Sequence, residues 1–384
     1  MPRDPLFVLA VLAACVVASE WLARSTWLRH LGTALVVIVV TAVVANLGVI
    51  PTGTEDVPLY GVLFRQVAWL AIFWLLLQVR LREVARAGPV MIALFVLGAA
   101  GTALGAVVGM LVVGGEARFG DVHAALAGMF AATYSGGSAN FIAIASQYQV
   151  TDGLLLASAN AIDAAMTTVW MAATVVIPRM MRRTTRVDAP GSQRSVDLAA
   201  DVRADTESLH PLDLGAALAI GAFAVWGSEW SASWLAASLG VEIPAILVLT
   251  TVALILAQVP AIARLRGPRV LGLFGVYLFL AVIGALCDIE ALRSSGALGL
   301  WIFLFVLVLI AVHATLVFGA SALLRLDPDV AAVASQANIG GSTSALALAR
   351  SLGRGDLVLP GILVGSLGSA LGTYVGVAVV VFLR

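Results

Sequence analysis

Thr133-Tyr134-Ser135-Gly136-Gly137-Ser138-Ala139-Asn140 has a second copy 204 positions later, Ala337-Asn338-Ile339-Gly340-Gly341-Ser342-Thr343-Ser344. At that constant shift the chain matches itself without a gap at Gly136/Gly340, Gly137/Gly341, Ser138/Ser342, Ala143/Ala347, Ala145/Ala349, Asp152/Asp356 and Leu155/Leu359. This is an internal duplication. A Gly-Gly pair inside an apolar segment interrupts a helix, and small polar residues beside it supply hydrogen bonds that the interrupted backbone loses. Interruptions at corresponding positions of two halves point to the binding site of a transporter.

The surrounding composition belongs to a membrane protein. Of 384 residues, 61% are hydrophobic and only 11% charged, and the mean hydropathy is +1.03. A soluble domain could not bury that much apolar surface. The formal net charge is zero and every basic residue is Arg, which argues against a nucleic-acid partner and turns the arginine clusters into a topology signal. Cys15 and Cys287 sit far apart in apolar segments and read as small core residues, not as a disulfide or metal ligands. The four histidines, His30, His123, His210 and His313, have no ligand spacing, and only His313 falls inside an expected span.

Outward from the glycine pairs, apolar runs at residues 6–21, 31–50, 59–79, 90–113 and 154–177 are expected spans of the first half. Residues 214–230, 243–259, 270–286, 298–318 and 357–383 repeat that order in the second. Residues 6–21 are not read as a signal peptide, because the second half has their equivalent: Ser19-Glu20-Trp21 corresponds to Ser228-Glu229-Trp230. Domain bounds follow as 1–178 for the first membrane repeat, 179–211 for an Arg-rich linker and 212–384 for the second repeat. The linker carries Arg182, Arg183, Arg186, Arg194 and Arg203 among acids, Ser and Thr, and is assigned no fold.

Counting crossings sets the topology. If Arg24, Arg29, Arg80, Arg82 and Arg86 are cytoplasmic, a full crossing by residues 122–146 would leave the linker outside, against the positive-inside rule. A re-entrant hairpin turning at Gly136-Gly137 puts it inside. The same reasoning places Arg264, Arg266, Arg269, Arg325, Arg350 and Arg354 inside, with Arg3 and Arg293 outside near Asp4, Asp288 and Glu290. The expected fold is an all-α polytopic membrane protein: an inverted repeat of two halves, each with five transmembrane helices plus a glycine-tipped re-entrant hairpin, both termini external.

Irregular backbone at membrane depth survives only where it is buried or lines a cavity. The hairpin tips are therefore the candidate substrate site, through Ser135, Gly136, Gly137, Ser138 and Asn140 in the first copy and Ser335, Gln336, Asn338, Gly340, Gly341, Ser342, Thr343 and Ser344 in the second. The competing reading of one Gly-Gly pair is tight helix packing; duplication beside polar residues favours a site. Asp163 lies mid-span, on one helix face with Asn160 and Thr167. An ionisable group at that depth costs several kcal/mol unless paired, protonated or ion-bound. These three residues are the expected site of the coupling Na⁺ or H⁺, against the alternative of a protonated Asp bonded to a neighbouring helix. The equivalent helix offers Ser366, Ser369 and Thr373 with Leu367 opposite Asp163, so the two half-sites are chemically unequal. Glu20 and Glu229 read as interfacial, Asn46, Gln66 and Gln78 as inter-helix hydrogen bonds, and Trp21, Trp27, Trp230, Trp234 and Tyr60 as interfacial anchors. No array of enzymatic spacing and no cofactor motif stands out.

Through Thr133 to Asn140 and Ala334-Ser335-Gln336-Ala337-Asn338-Ile339-Gly340-Gly341, the chain resembles domain-of-unknown-function family 819 over nearly its whole length. In architecture it is similar to the 2-hydroxycarboxylate and glutamate:sodium symporters, whose loop tips carry Gly-Gly-x-Gly where this chain has Ala139 and Thr343 at the fourth position. That resemblance implies an ion-coupled carrier of small carboxylates in a bacterial-type inner membrane, a homodimer in which a core domain moves against a scaffold. The other readings are a cation/proton antiporter that turns on Asp163 and a non-transporting sensor or scaffold that works through the linker.

Overall fold

The computed structural model describes residues 4–26, 32–52, 57–184, 210–240, 242–287 and 297–384. Trp27, Arg29, His30, Arg3, Asp288, Glu290, Arg293 and the linker residues Arg186, Arg194 and Arg203 lie outside them. Among the described residues the chain is helical throughout, with fourteen principal helices that fall into two successive sets of seven. The first set is α1 (Pro5–Ser25), α2 (Gly32–Asn46), α3 (Pro58–Leu76), α4 (Pro89–Val113), α5 (His123–Gly136), α6 (Ser138–Gln147) and α7 (Gly153–Thr184). The second is α8 (Pro211–Leu239), α9 (Ala245–Ala257), α10 (Pro268–Ala285), α11 (Leu298–Leu323), α12 (Pro328–Ile339), α13 (Gly341–Ser351) and α14 (Val358–Leu383).

Among the described residues eight helices are long and apolar enough to cross a membrane: α1, α3, α4, α7, α8, α10, α11 and α14. The chain is a multi-pass membrane protein. The other two expected spans are shorter helices. With 15 and 13 residues, α2 and α9 reach only about 22 and 20 Å at 1.5 Å per residue. Proline and glycine set their ends: α2 runs out just before Gly48 and Pro51, and α9 lies between Pro244 and Pro260. One boundary shifts in the other direction. The span expected to end at 177 continues through Pro178 to Thr184, so the stretch read as linker begins as helix.

Packing sorts the helices into two groups drawn from the same positions of each set. The broadest contacts are α4 with α11 and α5 with α14, in a group that also holds α6, α7, α12 and α13. The second group is α1, α2, α3, α8, α9 and α10, built around α10 against α2 and α3. Contacts between the groups are sparse by comparison, the broadest being α3 with α6. Glycines set the closest approaches within the first group: a methyl on Gly105 would stand 2.6 Å from the Leu309 carbonyl oxygen, and one on Gly109 would stand 3.0 Å from that of Phe305.

Candidate functional site

The site is built on two interrupted helices. Between α5 and α6 the chain turns at Gly137, whose φ of +91° is open to glycine but strained for a side chain. Its N–H still donates to Thr133 O at 2.7 Å, closing the last turn of α5. Gly341, at φ +75°, makes the corresponding break before α13.

Both interruptions are tight reversals. A methyl on Gly372 of α14 would meet Ala132 O of α5 at 2.7 Å and Asn140 Nδ2 of α6 at 2.5 Å. One turn on, a methyl on Gly376 would meet Gly128 O at 2.7 Å and Ile144 Cγ1 at 2.9 Å. Residues receding equally from Gly137 thus stay beside the same points of α14, so α5 and α6 run antiparallel, side by side. Likewise Val333 of α12 and Ala345 of α13 both face Gly361, and Ser342 faces Gly365. Helix α14 therefore lies along both hairpins, with both tips near its middle. Asn140 is tied to it by Thr373 Oγ1, which donates to Asn140 Oδ1 at 2.7 Å.

A cavity of about 700 Å³ opens where the tips meet the second helix group. From the tips it is lined by Gly136, Gly137, Ser138, Asn140, Gly340, Gly341, Ser342 and Thr343, and from α7 by Asn160, Asp163 and Thr167. Eight of the expected substrate residues and the three expected ion residues therefore share one space. Its wall also holds Thr133, Ser366 and Ser369, and, from the other helix group, Gln78 and Arg269 among apolar side chains such as Leu35, Ile72 and Leu273. Among the described residues, Asp163 and Arg269 are its only charged lining residues. Asn140 N donates to Gly137 O at 3.0 Å, and the earlier N–H groups at the start of α6 and of α13 precede any i−4 acceptor, which suits the tips to an anion.

Other expected site residues are spent on packing. Ser335, Gln336 and Asn338 are fully buried outside the lining. Ser335 accepts from Trp170 Nε1 at 3.1 Å and meets His313 Nε2 at 2.8 Å; Gln336 Oε1 accepts from Thr174 at 3.2 Å; Asn338 donates to Phe95 O at 3.0 Å. The reason is geometric: these residues lie on the arm of the second hairpin that packs against α4 and α7, not at its tip. Ser135 is buried without a hydrogen-bond partner, and Ser344 is half-buried; neither lines the cavity. His313 has a structural setting. Its Nδ1 faces Gly98 O at 2.9 Å, an acceptor only, so Nδ1 carries the proton and Nε2 accepts from Ser335.

Gln78, Arg269, Ser366 and Ser369 line the cavity and are not among the expected site residues. Ser366 and Ser369 carried a signal, a polar pair three residues apart in an apolar helix. Gln78 was read as an inter-helix hydrogen bond and Arg269 as a topology marker, and neither reading contains information about the cavity they line. Asn46 does bond between helices, donating to Cys287 O at 2.8 Å, while Glu20 pairs with Arg24 at 2.7 Å and Glu229 with Arg65 at 2.8 Å.

A model of the family described as "Protein of unknown function (DUF819)" matches residues 7–384. The chain is also similar to the uncharacterized membrane protein YjcL of Bacillus subtilis (strain 168), with 28% identity over 385 residues, covering 96% of this chain and 93% of that protein.

Proposed function

The chain belongs to the DUF819 family, and from the make-up of its cavity we propose that it is an ion-coupled symporter of a small, carboxylate-bearing organic solute. One observation carries this reading: the breaks of two duplicated helices converge on a single cavity that holds one acid, Asp163, and one base, Arg269. The solute's carboxylate sits at the N-termini of α6 and α13, with Arg269 facing it. The coupling Na⁺ or H⁺ sits at Asp163 with Asn160 and Thr167. Ser138, Asn140, Ser342 and Thr343 bond the remainder of the solute.

The mechanism is elevator-type alternating access, the hairpin-bearing group moving against α1–α3 and α8–α10. Sparse contact between the two groups supports this division. An inverted repeat is supported by α4 and α11, which cross antiparallel about Gly105 and Leu309, positions equivalent at the 204-residue shift. The side-by-side arms of each hairpin support re-entrant loops. The linker is cytoplasmic and both termini external, in an inner membrane of bacterial type. Gln78 and Arg269 stand at the arginine-bearing ends of α3 and α10, so the cavity opens to the cytoplasm. The protein forms a homodimer through the non-hairpin group.

The test is the thermal stability of the purified protein in detergent, with and without Na⁺, across a panel of small carboxylates and amino acids. A bound ligand raises stability by RT ln(1 + [L]/Kd). A Na⁺-dependent shift with one organic solute, lost in Asp163→Asn, is the expected result. A response to cations or pH alone favours an antiporter with Asp163 alternating between ion and proton. No response under any condition favours the non-transporting scaffold.

A further inference from the structure

Among the buried oxygens beside the first tip that lack partners, Tyr134 Oη and Asp163 Oδ1 belong to different elements. Tyr134, in the last turn of α5, is fully buried, with its phenol against the Asp163 carboxyl and the Thr167 hydroxyl of α7. Neither Tyr134 Oη nor Asp163 Oδ1 meets hydrogen-bonding geometry with a partner, although the two groups are neighbours. A buried polar atom without a protein partner calls for a water, an ion or another group to satisfy it. The α5 C-terminus ends there too, at Gly136-Gly137, and the negative end of a helix dipole favours a cation. Of that terminus, Thr133 O is held by Gly137 N and Tyr134 O by Thr102, while Gly136 O has only a 3.3 Å approach from Ser369.

The donor set is all oxygen, hard in character, with a single carboxylate. A divalent ion of the Ca²⁺ class takes six to eight oxygens, usually from several acids, so one acid among neutral oxygens matches a monovalent charge. The other charged group of the cavity is Arg269, from the opposite helix group. The second half has no equivalent site. Asp163 corresponds to Leu367, and Tyr134 to Asn338, whose amide nitrogen is spent on Phe95 O and Ala334 O.

We propose that Tyr134 Oη, the Asp163 carboxylate, Thr167 and Asn160 form one site for a Na⁺-sized monovalent cation, and that one such ion is coupled per cycle. Tyr134 is the member that matters mechanically, because it joins the first hairpin to α7. Ion occupancy draws these two elements together and thereby sets the tip against which the solute binds. The coupling role rests on the symporter reading; the binding of the ion does not.

The experiment is a titration of thermal stability with NaCl replacing choline chloride at constant ionic strength, with KCl as comparator and no organic solute. Wild type should respond to Na⁺ along a saturable curve with a Hill coefficient near one. Tyr134→Phe should raise the half-saturating Na⁺ about tenfold, as expected for one lost contact to a charged group, with its midpoint in choline unchanged. Asp163→Asn should abolish the response. If Tyr134→Phe folds poorly in choline, Thr167→Val gives the same readout. A Tyr134→Phe curve superimposed on wild type removes Tyr134 from the site, and a Hill coefficient near two overturns the single ion. A wild type indifferent to Na⁺ overturns the cation site, while the carboxylate panel alone then judges the solute reading.

Discussion

Replacing Gly372 by alanine tests whether α14 is the element on which the first hairpin is registered. The added methyl would lie 2.7 Å from Ala132 O and 2.5 Å from Asn140 Nδ2. Ordinary contact begins near 3.4 Å, so about 0.7 Å must be found against a backbone carbonyl that cannot rotate away. Either α14 separates from α5 or Asn140 leaves Thr373. The first is overpacking, at about 1–3 kcal/mol; the second forfeits a buried hydrogen bond of about 1 kcal/mol. We expect a loss of about 1–3 kcal/mol. Gly227 of α8 is the control, since a methyl there meets nothing within 4 Å and alanine in a helix gains up to about 1 kcal/mol over glycine. Unfolding midpoints in mixed micelles should therefore move in opposite directions for Gly372→Ala and Gly227→Ala. Because the methyl displaces Asn140, Gly372→Ala should also weaken binding of whichever carboxylate the wild type recognises. Equal midpoints for the two variants would refute the proposed registration.

Two further predictions address the second hairpin and the topology. Arg354 Nη1 reaches Asp327 at 2.6 Å and Asp329 at 3.0 Å, and Nη2 reaches Asp356 at 2.8 Å, joining the base of α12 to the approach to α14. Arg354→Met should cost about 2 kcal/mol, because it removes a charged contact at 3.0 Å to the Asp329 side chain, which is only 2% exposed. Asp356→Asn, at a side chain 52% exposed, should cost under about 1 kcal/mol; similar losses in thermal unfolding would contradict this. Exposed Glu116 and Gln149 flank the first hairpin. Cysteines placed there should react with an impermeant thiol reagent from the same side of the membrane, and labelling from opposite sides would show that α5 and α6 together cross it.

What the sequence disclosed and what it withheld divide along a physical line. Gly136-Gly137 and Gly340-Gly341 were legible because a helix break is a local property, and both breaks stand where the pairs placed them. Asp163 was legible because a mid-span acid is anomalous whatever surrounds it. By contrast, Ser335, Gln336 and Asn338 look like tip ligands in one dimension, yet which polar side of a hairpin arm faces a cavity depends on the neighbouring helices. Arg269 and Gln78 reach the cavity from the other helix group and could be placed there only by tertiary packing. Tyr134 was hidden inside the motif itself, since a phenol next to a glycine pair reads as packing until the acid beside it is known.

The inequality of the two halves follows from one set of substitutions. Helix α14 presents Gly361, Gly365, Gly368, Gly372 and Gly376 to the hairpins, and the 204-residue shift carries these onto Ala157, Ala161, Ala164, Thr168 and Ala172 of α7. Gly365, Gly368, Gly372 and Gly376 bring α14 against hairpin backbone, whereas on α7 Thr168 and Ala172 are exposed and α12 is met by Trp170 and Thr174. Accordingly α14 packs on α5 far more broadly than α7 packs on α12. The space that α7 cannot close is where Asn160, Asp163 and Thr167 meet the cavity. The two halves thus differ where they bear on the cavity: the glycine-rich α14 is the close seam of both hairpins, while α7 carries Asp163 into the lining.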